Sequence, residues 1–125
     1  MINSIFLFVG SISLIAWGTA HLFPTKAVVK GFGDISADNK EIVKMEWMTE
    51  GFSLIFVGIL VLLVTIFGDR ENISTRIIYF TASGFMFAMA ILSLFTGFKI
   101  NFLPYKLCPV IFGLSAIFIL LGSLL

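Results

Sequence analysis

The chain has 125 residues, 59% of them hydrophobic and only 12% charged, with a formal net charge of +1 and a mean hydropathy of +1.11. So few charges cannot cover a soluble domain. A balance near neutrality, with no Lys/Arg cluster able to track a phosphate backbone, excludes a nucleic-acid partner. A single cysteine, Cys108, excludes an internal disulfide, a CxxC redox pair and a cysteine zinc site.

The apolar residues gather in four blocks, each near the ~20 residues of helix that a bilayer core requires. These blocks, 2–23, 48–67, 77–98 and 107–125, predict an all-α, polytopic membrane protein. The expectation is one domain over 1–125, with four transmembrane helices in an antiparallel bundle and the lipid bilayer as surroundings. The first block, opening "MINSIFLFVG", lacks a basic n-region and outruns a signal-peptide core, so it reads as a retained helix.

Pro24 ends the first helix because its ring forbids continuation. "KAVVKGF" then predicts an interfacial or amphipathic connection, with Val28, Val29 and Phe32 dipping inward and Lys26 and Lys30 reaching for headgroups. Asp38 with Glu41 three residues on is a capping-box-like start, and a helix from Asn39 to Phe67 would measure about 43 Å. That exceeds a hydrocarbon core of about 30 Å, so its first turns must project. "GDRENISTR" offers Ser74 as the next N-cap. In "KINFLPYK", Pro104 breaks the last hairpin, and Pro109 falls in the first turns of the fourth helix. Gly84 and Ala88 stand at a spacing that favours close helix contact, within one chain or in a homo-oligomer.

Four spans place both termini on one side together with Arg70 and Arg76. Lys26, Lys30, Lys40, Lys44, Lys99 and Lys106 fall on the other. Six against two over short loops predicts cytoplasmic first and third connections and both termini outside. The expected location is a bacterial inner membrane. No internal repeat is visible, which weighs against an inverted-repeat transporter in one chain.

The polar residues concentrate at the predicted cytoplasmic end. Ser13, Trp17 and His21, spaced by four, form one stripe on the first helix. Glu46, Glu50 and Ser53, with Trp47 beside them, form another on the second. Consecutive helices usually pack together, so the stripes are expected to face each other across a wet pocket. Ser93, Thr96, Asn101, Tyr105 and Cys108 come from the other two helices to the same half. A carboxyl and an imidazole in low-dielectric surroundings can exchange a proton near neutrality. His21, Glu50 and Glu46 are therefore the candidate proton-handling residues. Trp17, Trp47, Ser13 and Ser53 are the candidate ligand wall. No metal site and no cofactor is expected, because one His and two Glu lack a ligand-spacing motif.

A purely topological origin competes for each residue. Glu46 can sit in water beside Lys40, Lys44 or Lys99, and acids near a helix N-terminus favour its dipole. Trp47 and Tyr105 suit an aromatic belt, and a lone cysteine is commonly packing. A charge at the edge of the core is harder to explain this way, which singles out Glu50. One His, two Glu and Trp at one membrane depth is similar, in residue types and not in spacing, to sterol isomerases of the emopamil-binding type, so no activity is carried over. The leading expectation is a cytoplasmic-side pocket for a lipophilic small molecule, with proton transfer. An oligomeric proton-coupled transporter or channel, or a structural accessory subunit, are the alternatives. Whether the protein is an enzyme stays open.

Overall fold

A computed structural model describes residues 1–125. It is all-helical: α1 (Ile2–Leu22), α2 (Thr25–Gly31), α3 (Ala37–Phe67), α4 (Ile73–Phe95) and α5 (Leu103–Leu124), with a short 3-10 turn at Gly97–Lys99. Four of these helices are long and apolar enough to cross a membrane, which supports a multi-pass membrane protein.

The buried seam of α1 runs Leu7, Gly10, Ser11, Leu14, Gly18 and His21, and that of α3 runs Trp47, Gly51, Leu54, Gly58 and Val61. Spacings alternating between three and four keep one face toward the neighbour, as in coiled-coil seams. Glycines let the two backbones touch. A Cβ at Gly18 would stand 2.7 Å from the Gly51 carbonyl, and one at Gly58 would stand 2.7 Å from the Ser11 carbonyl. Without a hydrophobic drive between helices in lipid, such close packing is the main source of association. On its other side α1 meets α5, where Gly10 adjoins Ser115 and Ile119, and Gly122 adjoins Asn3 and Leu7. In turn α5 packs along α4, and buried Ser83 donates to the Ala116 carbonyl at 2.9 Å.

The spatial order is therefore α3, α1, α5, α4. Although joined by a short connection, α3 and α4 meet closely only near it, where the Thr65 and Tyr79 hydroxyls lie 3.1 Å apart. Beyond that contact they diverge around an apolar groove of about 690 Å³, walled by Phe52, Phe56, Ile77 and Phe85 among others. Sequence neighbours here are not the main packing partners. At Gly84 a Cβ would meet nothing within 4 Å, so of the two contacts its spacing allowed, the one within the chain is not made.

The caps differ from those expected. Ser36, not Asp38, caps α3 by accepting from the Asn39 amide at 3.1 Å. Asn72, not Ser74, caps α4, accepting from the Ser74 amide at 2.8 Å. Pro104 does not break the hairpin; it sits in the first turn of α5, where its missing N–H costs nothing. Pro109 is then inside α5 rather than at its start. At 31 residues, α3 is about 46 Å long. Its first turns extend past the rest of the bundle and pack beside α2. Lys26 and Lys30 of α2 and Lys40 and Lys44 of α3 line one broad surface groove with Asp34 and Glu41. Only Lys44 and Glu41 approach within ion-pair distance there, at 3.5 Å.

Candidate functional site

The seam that builds the bundle also delivers His21 to its interior. His21 lies one heptad beyond Leu14 on the buried face of α1, and only 8% of it is exposed. Its backbone carbonyl belongs to the last turn, where helix acceptors lack partners. Trp47, which opens the α3 seam, fills that need by donating its indole N–H to the His21 carbonyl at 2.8 Å. This bond lays the Trp47 ring flat against the imidazole, with centroids 3.8 Å apart and planes 16° from parallel. Tyr105 of α5 then tilts onto Trp47 at 5.5 Å, and Phe102 onto Tyr105 at 5.8 Å. Three helices are thus tied by one aromatic stack.

Glu50 stands one turn along α3 from Trp47. Its Oε2 is 3.5 Å from His21 Nε2, and its side chain is 32% exposed. The two atoms approach without a hydrogen bond, and Nε2 is buried with no other hydrogen-bond partner. The Trp17 indole N–H, one turn before His21 on α1, is also buried and unpartnered. It lies beside the Cys108 thiol, which is a weak acceptor and itself donates to the Pro104 carbonyl at 3.4 Å. Trp17, His21, Trp47, Phe102, Tyr105 and Cys108 are among the walls of a cavity of about 140 Å³.

The structure brings His21, Glu50, Trp17 and Trp47 together as the sequence spacing suggested. It does not bring in three others. Glu46 is exposed on the outer side of α3. Ser13 donates back to the Val9 carbonyl and Ser53 to the Thr49 carbonyl, both at 2.7 Å. Ser53 faces the α3/α4 groove instead of the cavity. From the other helices, Ser93 and Thr96 also bond within their own helix, and Asn101 is exposed.

Phe102, Pro104 and Pro24 complete the cavity and were absent from the sequence reading of it. A signal existed in "NFLPYKLC": proline in a first helical turn would have started α5 at Leu103 and put Tyr105 and Cys108 on its inner side. No three His, Cys, Asp or Glu side chains converge as metal ligands would. No protein-family model, no curated protein and no solved structure matches the chain.

Proposed function

We propose that the chain crosses a lipid bilayer four times as an antiparallel bundle and binds a lipophilic small molecule in the aromatic cavity at its cytoplasmic end. His21 and Glu50 handle a proton beside that molecule. The observation that carries this reading is the approach of Glu50 Oε2 at 3.5 Å to Nε2 of His21, which lines a cavity walled otherwise by aromatic and proline side chains with Ala20 and Cys108. One proton suits such a pair. On Nε2 it makes an imidazolium–carboxylate pair, and on Glu50 it makes a neutral acid beside a neutral imidazole, so the pair is net neutral in either arrangement, and donating the proton leaves its charge on the part-exposed Glu50. Glu46, exposed and one turn away, is left to tune the local field through solvent. A transport path through a single bundle is closed by Leu14, Leu54, Met86 and Phe112, buried along it, so that alternative requires an oligomer.

Both tryptophans of the chain line the cavity, so intrinsic fluorescence reports on it directly. In nanodiscs, bromobenzene is expected to quench that emission saturably, with an apparent affinity that varies with pH. Glu50→Gln should abolish the pH dependence, whereas Glu46→Gln should only shift it slightly. Linear quenching, equal to that of a free tryptophan ester in the same nanodiscs, would remove the pocket. Equal effects of the two substitutions would remove Glu50 from it.

A further inference from the structure

Two buried nitrogens at one cavity, Trp17 Nε1 and His21 Nε2, have no hydrogen-bond partner; their polar neighbours are the weakly accepting Cys108 thiol and, at 3.5 Å, Glu50 Oε2. Buried polar atoms are nearly always satisfied, and one that is not points to an absent water, ion or ligand. The Trp17 indole can only donate, so the missing group must present an acceptor. His21 Nε2 donates in one protonation state and accepts in another. A hydroxyl or a carbonyl oxygen meets both demands, whereas an ammonium would leave the Trp17 N–H unsatisfied. One water could meet both nitrogens, but it would fill little of a cavity of about 140 Å³ whose other walls, Tyr105 and Cys108 apart, are carbon surfaces of Trp47, Phe102, Pro24, Pro104 and Ala20.

Size narrows the class further. The cavity of about 140 Å³ matches the apolar cavity of about 150 Å³ that stays dry and holds one benzene. It has room for one six-membered ring. Pro24, Phe102 and Tyr105 also wall a second, more open apolar groove of about 400 Å³, formed with Ala27, Val28 and Phe32 of the α2 segment. The two spaces share these side chains as walls, and the groove along α2 offers apolar surface to a tail leaving the ring.

Resting on the pocket reading above, we infer that the ligand is a lipophilic molecule ending in a single oxygen-bearing six-membered ring, a phenol or cyclic ketone in type. Its oxygen sits between Trp17 Nε1 and His21 Nε2, and its tail runs beneath α2. The interaction is reversible and non-covalent.

Fluorine NMR in nanodiscs tests this with three ring-sized probes: 4-fluorophenol, fluorobenzene and 4-fluorobenzylammonium. A bound 4-fluorophenol signal, shifted by the ring currents of the stack, should saturate with an affinity roughly tenfold above that of fluorobenzene, the scale of one good buried hydrogen bond. The ammonium probe should not compete. Trp17→Phe keeps the aromatic wall and should erase the phenol's advantage while leaving fluorobenzene binding unchanged. His21→Asn, read the same way, guards against a Trp17 variant that fails to fold. Equal saturable binding of phenol and fluorobenzene, insensitive to Trp17→Phe, would overturn the oxygen-ring inference and leave the pocket standing. Preference for the ammonium probe would overturn it in favour of a cation site. Absence of saturable binding by any probe would remove both the inference and the pocket beneath it.

Discussion

Single atoms decide how closely these helices approach. Gly18 and Gly58 meet the backbone carbonyls of Gly51 and Ser11, so an added methyl cannot be absorbed by a side chain turning aside. Gly84, in contrast, faces open space. Gly58→Ala should therefore destabilise the fold by about 1–3 kcal/mol, the usual cost of overpacking a tight contact. Gly84→Ala should be neutral or stabilising by up to about 1 kcal/mol, since glycine is a poor helix former. Reversible unfolding in mixed micelles, followed by helicity, compares them. A Gly58→Ala protein as stable as Gly84→Ala would mean that α1 and α3 do not touch along this seam. The sequence displayed these glycines without ranking them. "GFMFA" looked like a contact motif because spacing alone cannot tell a small residue facing a helix from one facing outward. The seam becomes legible only when Ser11, Gly18, Gly51 and Gly58 are read together with Leu14 and Leu54, at the three-and-four spacing of residues both small and large.

Among the elements, the chain order misleads once. The connection from Gly68 to Asn72 is too short to separate α3 and α4 at that end, yet they part beyond Thr65 and Tyr79. Phe52, Phe56 and Phe85 beside the gap are as apolar as buried residues would be, so hydropathy carries no mark of which helix each one faces. Hydropathy likewise found the four apolar middles, with both ends of α1 and the last turn of α3, but started α4 and α5 too late, because helix starts are set by caps and first-turn residues. Ser36 and Asn72 satisfy the free amides that start α3 and α4, and neither belongs to an apolar run. The site shows the same division. His21, Trp17 and Glu50 were legible from spacings of four within α1 and from the turn that joins α1 to α3. Tyr105 was placed in the same half without its contact to Trp47, and Phe102 was not placed at all, because starting α5 at Leu107 left them in a loop. The Thr65–Tyr79 contact offers a test at this scale. Thr65→Val and Tyr79→Phe should each cost about 0.6 kcal/mol, with a double-mutant cycle returning a coupling of similar size, as interhelical hydrogen bonds in membrane proteins do. Zero coupling would show that α3 and α4 are held only through their partners α1 and α5.

At the scale of the whole molecule, one asymmetry joins the cavity to the proposed orientation. His21, the start of α3, the 3-10 turn and the start of α5 share one end of the bundle, and every lysine of the chain lies in the segments at that end. The other end holds both arginines, and Arg70 is tethered there by donating to the Ser4 hydroxyl at 2.9 Å. Positive residues resist translocation, so the lysine end, cavity included, is proposed to face the cytoplasm. Cysteine labelling in a Cys108→Ala background tests this at exposed positions: Lys30→Cys on α2 and Ala37→Cys at the start of α3 for one end, Asn72→Cys for the other. In intact cells an impermeant thiol reagent should modify Asn72→Cys and spare the other two, which should react only after permeabilisation. The opposite pattern would invert the bundle and turn the groove along α2 toward the outer leaflet. A lipophilic ligand reaching His21 would then have to come from that leaflet, and the His21–Glu50 pair would exchange protons with the external solution instead of the cytoplasm.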